Sequence, residues 1–288
     1  MSSVTIHPDT LVGPVALAVS ELDRSERFYH SVIGLETLQR EGDVLSLGIQ
    51  NEVPLLELTE RPAARRVPPR TTGLYHFAIL VPTRMDLAHA LRRIAVSGWP
   101  LSGSSDHLVS EALYLSDPDG NGIEIYRDRP RSEWKQRDGR IEMTLDPLDL
   151  RALLAEVSQS DHPQAQMPAG TIMGHVHLRV ADLRLVREFY NGTLGFDITN
   201  DSFPGALFVS AGGYHHHLGL NTWGSEGAPA PPSDALGLGH FTVRLPDQAE
   251  LDRVAERVRR SGIAVKETSD GLLVRDPSGN GVLLGIRD

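Results

Sequence analysis

The sequence predicts an α+β fold built from four βαβββ modules. Three observations carry this reading. A strand-then-helix pattern recurs four times in two alternating flavours, the spacing inside each flavour is constant, and two of the units close on the same Gly-rich turn. Self-similarity at a period of about 60 residues marks a chain built from repeated supersecondary units.

Along the chain, PVALAVSELDRSERFYHSVIGL (14–35) opens module one (1–66) as a short apolar strand and an amphipathic helix ending in an aromatic pair and a Gly. HVHLRVADLRLVREFYNGTLGF (175–196) opens module three (171–230) in the same way, and the Tyr lies 15 positions on in both, at Tyr29 and Tyr190. The second flavour is HFAILVPTRMDLAHALRRIAVSG (76–98) in module two (67–130) and HFTVRLPDQAELDRVAERVRRSG (240–262) in module four (231–288), each reaching its Gly after 22 positions. SDPDGNGIEIY (116–126) and RDPSGNGVLLGI (275–286) read as turns, with Gly and Asn at positive φ, feeding a last strand. Alternation in LLELTE (55–60) and HHHLGLNTW (215–223) predicts further strands. Residues 131–170 interrupt the repeat as a crossover, with a helix expected in DPLDLRALLAEVSQS (146–160). The basic run 61–70 reads as a solvated linker whose Arg65 or Arg66 lines an entrance.

Net charge is −10 and the 28 Lys and Arg residues are scattered, which argues against nucleic acid and anionic membrane as partners. With no cysteine, disulfides and thiolate chemistry are excluded, and any metal must use nitrogen and oxygen ligands. No apolar stretch reaches the length of a membrane helix and the N-terminus lacks the pattern of a signal peptide, so a cytoplasmic protein is expected. Oligomeric state is left open, a homo-oligomer included.

The segments GLYHFAI (73–79), DHLVSEALYLSDPDGNGIEIY (106–126) and GGYHHHLGLN (212–221), set in βαβββ modules, resemble the vicinal oxygen chelate superfamily of glyoxalases, antibiotic-resistance proteins and extradiol dioxygenases. They look most like the catechol 2,3-dioxygenases. The resemblance spans essentially residues 11–287. It implies paired modules whose sheets curl around a metal, with ligands on the first strand of each partner and the last strand of one.

Carried across, the first-strand positions are Pro14, His76, His175 and His240, and the last-strand positions of the second flavour are Glu124 and Leu283. Pairing modules two and three gives His76, His175 and Glu124, the two-His-one-carboxylate set of non-haem Fe(II) oxygenases. Sequential pairing completes no such set unless Glu57 substitutes, and it remains a second reading. Modules one and four then form a degenerate, supporting half. Glu124 faces inward by this logic, because Ile123 and Ile125 alternate with it and its repeat mate is Leu283.

The resemblance further implies an extradiol dioxygenase that opens a small aromatic diol beside its hydroxyls with O₂. His216 is then the base, while His107 and Tyr114 donate hydrogen bonds to the bound substrate. Fe(II) is the expected metal, with Mn(II) as a second choice. A glyoxalase-like isomerase or lyase on Zn(II) or Ni(II) would want a second carboxylate, and a protein sequestering an aromatic or antibiotic would need no metal. Taken singly, a His opening a buried strand is commonly a hydrogen-bonded core residue, and the His triplet could be a surface cluster. By alternation His215 and His217 point opposite His216, and their role is open.

Overall fold

The computed structural model of the chain describes residues 4–49, 53–157 and 166–287. The first unit comprises β1 (Leu11–Val19), α1 (Leu22–Phe28), β2 (Glu36–Glu41), β3 (Val44–Gly48) and β4 (Pro54–Glu60). The second comprises β5 (Gly73–Leu80), α2 (Arg84–Ser97), β6 (Gly103–Asp106), β7 (Ser110–Ser116) and β8 (Gly122–Asp128). A connecting segment carries β9 (Gln136–Arg137), β10 (Arg140–Ile141) and α3 (Leu150–Leu154). The third unit is β11 (Ile172–Arg179), α4 (Leu183–Arg187), β12 (Asp197–Asn200), β13 (Ala206–Ser210) and β14 (Leu218–Asn221). The fourth is β15 (Gly237–Leu245), α5 (Gln248–Arg260), β16 (Lys266–Thr268), β17 (Gly271–Arg275) and β18 (Gly281–Ile286).

Two eight-stranded sheets result, and the units are nested rather than paired in sequence. The middle sheet, from units two and three, runs β12-β13-β14-β11-β5-β8-β7-β6; the end sheet, from units one and four, runs β16-β17-β18-β15-β1-β4-β3-β2. At the centre of each, two first strands pair antiparallel, and each first strand pairs parallel with the last strand of its own unit. The expected pairing of modules two and three is therefore the one that forms. β1 lies beside β11, and one continuous apolar core joins both sheets.

Local chemistry explains the punctuation. Thr83 and Asp86 close a capping box on α2, and Gly98 ends that helix at φ 71°. Helices α1 and α4 run into single π-helical stretches, Tyr29–Ile33 and Glu188–Thr193. Each delivers the repeat tyrosine to the next unit: the Tyr29 hydroxyl donates to Asp117 Oδ2 and the Tyr190 hydroxyl to Asp276 Oδ2, both at 3.0 Å. These are the aspartates of the two Gly-rich turns. In those turns Gly120 and Gly279 take positive φ, at 91° and 87°, but Asn121 and Asn280 do not. The asparagines instead donate from Nδ2 to the same aspartates, which replaces the expected backbone role with a side-chain one.

Two expectations are corrected. The predicted strand 215–223 is regular only over Leu218–Asn221, because Gly212 and Gly213 at φ 59° and 67° turn the chain and leave the three histidines in the turn's exit. The predicted helix 146–160 is α over Leu150–Leu154, capped by the Asp149 side chain; residues 158–165 lie outside the described set. Among the described residues no helix is long and apolar enough to cross a membrane.

Candidate metal centre

His76 and His175 sit near the middle of β5 and β11, the two antiparallel strands at the centre of the middle sheet, and Glu124 lies on β8 beside β5. Gly174 sits in a bulge just ahead of His175. A Cβ built on it would lie 1.9 Å from the Tyr126 hydroxyl oxygen, so the backbone reaches this place only without a side chain. The nearest ligand atoms of His76, Glu124 and His175 all fall within 4.8 Å of one another, and all three residues are buried. Nε2 of each histidine approaches Glu124 Oε2, at 3.0 and 3.1 Å.

Whether these residues suit a cation is decided by their protonation and their unmet valences. Burial alone would raise the Glu124 pKa, but His175 and His76 outweigh it and hold the carboxyl well below the usual range. Burial lowers His175 to about 4 against the pull of Glu124. Near neutral pH the set is thus an anion and a neutral imidazole, the forms that donate to a metal. Nε2 of His76 finds no hydrogen bond despite its 3.0 Å approach to the carboxylate, and Nδ1 of His175 and Nε2 of His177 are also buried without a partner. Orphaned buried nitrogens are costly in a protein interior. A divalent cation bound by His76, His175 and Glu124 would satisfy the first of them, and the donor set fits it.

Register also accounts for a carboxylate that is missing. Two residues beyond His76, Ala78 faces Glu124; two residues beyond His175, His177 faces Gly219. Gly219 is therefore the position in unit three that matches Glu124. A Cβ there would lie 2.8–3.0 Å from the His177 ring, which fills the space. Glu57, held in reserve as a substitute ligand, faces Ala16 on the end sheet and is not among the clustered ligands.

Around the triad opens a cavity of about 470 Å³ lined by Tyr75, His107, Tyr114, His177, Phe208 and His216, among others. The residues expected in supporting roles all reach it. The His216 ring packs against His175 with centroids 4.2 Å apart and planes inclined by 51°, and burial together with its histidine neighbours keeps it neutral. Its orientation follows from partners that sequence reasoning missed. Asp128 can only accept, so His215 Nε2 donates to it at 2.8 Å; His215 Nδ1 then accepts from His216 Nδ1–H at 2.8 Å, and His216 is left with an unprotonated Nε2. All three histidines of the triplet are buried, which removes the surface-cluster reading, and His217 is spent on the Ala211 backbone N–H.

On the opposite wall the Thr144 carbonyl likewise fixes a tautomer. His107 Nδ1 donates to it at 2.7 Å, so Nε2 accepts from the Tyr114 hydroxyl at 2.6 Å. Burial and nearby Glu124 raise the Tyr114 pKa well above its usual value, which keeps that proton in place. His107 and Tyr114 are thus linked on the cavity wall, and the Tyr114 hydroxyl also has Glu124 within hydrogen-bond reach. The connecting segment is more than a crossover: Met143, Thr144 and Leu145 line the cavity, and Trp134 packs on Tyr214 and His215. No sequence signal pointed to this. Of the basic run, Arg65 pairs with Asp234 at 2.9 Å, while Arg66 lines a neighbouring groove.

The sheets, the triad and its cavity can be set beside known proteins. The chain is 48% identical over 276 residues, 95% of its length and 96% of the relative's, to catechol-2,3-dioxygenase of Bacillus subtilis (strain 168). In fold it is similar to glyoxalase I from Zea mays, with a TM-score of 0.59, 17% identity and coverage of 96% and 92% of the two chains. A solved structure from Bacillus subtilis subsp. subtilis str. 168 superposes with a TM-score of 0.66 at 13% identity over 99% of this chain and 85% of that one. The family model matches residues 11–125 and 172–284, the two stretches that flank the connecting segment. On the repeated units, their nesting and this match, the chain belongs to the glyoxalase/bleomycin resistance protein/dioxygenase superfamily.

Proposed function

We propose that the protein is an extradiol ring-cleaving dioxygenase that opens a catechol next to its diol with O₂, using Fe(II) held by His76, His175 and Glu124. The observation that carries the reading is the convergence of two histidine nitrogens and one carboxylate beneath an aromatic-lined cavity, in a chain 48% identical to a catechol-2,3-dioxygenase. Bound there, the cation supplies charge that favours the deprotonated diol and a template on which diol and O₂ lie side by side.

The chain's own groups do the rest. His216, with Nε2 bare and its other nitrogen fixed through His215 and Asp128, is placed to take a hydroxyl proton from the incoming diol. Tyr114, held by His107 at 2.6 Å, is placed to hydrogen-bond the second hydroxyl and orient it. Tyr75, Phe208 and Trp223 supply apolar walls that limit water around the ring. Mn(II) has the same ligand preferences and is the second candidate. A glyoxalase-like isomerase is disfavoured because the second carboxylate it needs is Gly219 here. We place the protein in the cytoplasm.

The test is anaerobic loading with Fe(II) followed by catechol and air. Stoichiometric O₂ uptake with a yellow ring-opened semialdehyde is expected; no O₂ uptake with any of several catechols overturns the reading.

A further inference from the structure

Outside the triad, the cavity holds a charged group with no role in this chemistry. Arg179 ends β11, and His175, His177 and Arg179 at alternate positions of that strand all line the cavity. At about 3.3 Å per residue the Arg179 Cα stands roughly 13 Å along the strand from that of His175, about the reach of a diol ring, a short side chain and the arginine itself. The guanidinium is half-buried. One N–H donates to the Leu74 carbonyl at 2.8 Å, and the group lies over the Tyr75 ring at 5.2 Å. Among the described residues none of its contacts is with a carboxylate. Among the described residues lining the cavity it is the one permanent cation, and Glu124, the one carboxylate, is committed to the two histidines. A desolvated guanidinium lacking an anion is an unfinished pair.

Next to this cavity lies a groove of about 1120 Å³ that shares Gly120, Arg179 and Trp223 with it and adds Arg61, Arg66, Arg70 and Arg275. Its carboxylates are fewer: Asp119 is tied to Arg24 and Ser20, which leaves Glu57. In a chain of net charge −10 this local excess of arginine favours the approach of anions. The cavity is also larger than a bare diol ring needs, at a volume typical of pockets for larger ligands.

From this geometry we infer that Arg179 is a specificity residue that binds a carboxylate on the substrate side chain, so that the substrate class is a catechol bearing a short carboxylate-ended arm. The inference rests on the extradiol reading for its diol end. The planar fork of the guanidinium suits a carboxylate with two parallel hydrogen bonds, and Tyr75 beneath it holds the fork in place.

The experiment compares catechol, 4-methylcatechol and 3,4-dihydroxyphenylacetate on the Fe(II)-loaded protein, by kcat/KM in air and by calorimetric Kd without O₂. The carboxylated diol is expected to be preferred by about 10- to 100-fold, the worth of one charge-assisted pair. Arg179→Gln should bring the ratio of carboxylated to neutral substrate near unity and Arg179→Lys should restore part of it. Raising salt from about 0.05 to about 0.3 M should lower kcat/KM for the carboxylated diol more than for the neutral ones. A ratio unchanged in Arg179→Gln, or no preference in the native protein, overturns the inference while leaving ring cleavage intact. Absence of cleavage with every diol sinks the extradiol reading instead, and the anaerobic Kd ratio still decides the role of Arg179. Since each variant is judged by a ratio of two substrates on one sample, partial misfolding does not mimic the effect.

Discussion

The middle and end sheets have the same strand order, the same central bulged pair and the same parallel flanks, yet among the described residues only the middle sheet gathers a metal set. At the four matching positions the middle sheet offers His76, Glu124, His175 and Gly219, and the end sheet His240, Leu283, Pro14 and Glu57. The end sheet also has a cavity, of about 760 Å³, with Glu57 and His240 in its walls. Burial raises Glu57 and lowers His240, so each is pushed toward its neutral form, whereas Glu124 is held ionised by the histidines beside it. A second difference is the connecting segment, which roofs the middle cavity through Met143, Thr144 and Leu145 and is absent from the lining of the end one. A shared backbone therefore supplies the concavity, while three side chains and one insertion supply the chemistry.

The sharpest way to break this comparison is metal content. Replacing His76 or His175 by Ala, or Glu124 by Gln, should lower bound Fe(II) after gel filtration by more than about 100-fold in affinity. His240→Ala and Glu57→Gln should leave one equivalent bound; loss of metal in His240→Ala but not in His175→Ala would reverse the assignment of the two sheets. Next in size is the His216 relay, which has no counterpart on the end sheet. Asp128→Asn is expected to cut kcat by about 10- to 100-fold with metal retained, as a positioning residue should. An unchanged kcat would remove Asp128 from the mechanism.

Backbone access to each central strand offers a third comparison. A Cβ on Gly174 meets the buried Tyr126 ring, while one on Gly13 meets the aliphatic stem of the Arg244 side chain. Gly174→Ala should cost about 1–3 kcal/mol in chemical unfolding, as overpacking does, and Gly13→Ala distinctly less; equal costs would mean that Tyr126 can move aside.

The smallest effect concerns the roof. Asp201, beside β12, takes hydrogen bonds from Arg140 of the connecting segment and from Arg187, and these hold its pKa down to about 2. A depressed carboxyl contributes stability above its unfolded value near 4 that is lost as pH falls through about 2. Because the group is largely solvent-screened, the contribution is about 0.5 kcal/mol. Asp201→Asn should flatten the unfolding free energy across that acid window.

What was legible in the sequence was what repetition encodes. His76, His175 and Glu124 could be named because each has a counterpart at a fixed offset, and the absence of a carboxylate at Leu283 chose between pairings. Asp128 and Thr144 could not be named and His215 could be given no role, because each acts through a contact between segments that no periodicity relates. Strand alternation failed at 215–217 for a local reason: two glycines in left-handed backbone ended the strand pattern before the histidines. Arg179 was in plain view as a polar residue on an apolar strand, but its meaning needed the knowledge that no acid among the described residues contacts it.

Nesting of the units also sets an order in time. His76 and His177 meet across about 100 residues, whereas Ala16 and His240 meet across about 225, so the second closure carries the larger entropic cost and the slower search. As the chain leaves the ribosome, the middle sheet can assemble once β14 has emerged, while β1 waits with an open edge for β15. The protein would thus own its metal cavity before it owns its final shape, and in that interval the unpaired edge of β1 is the place where a second chain can add.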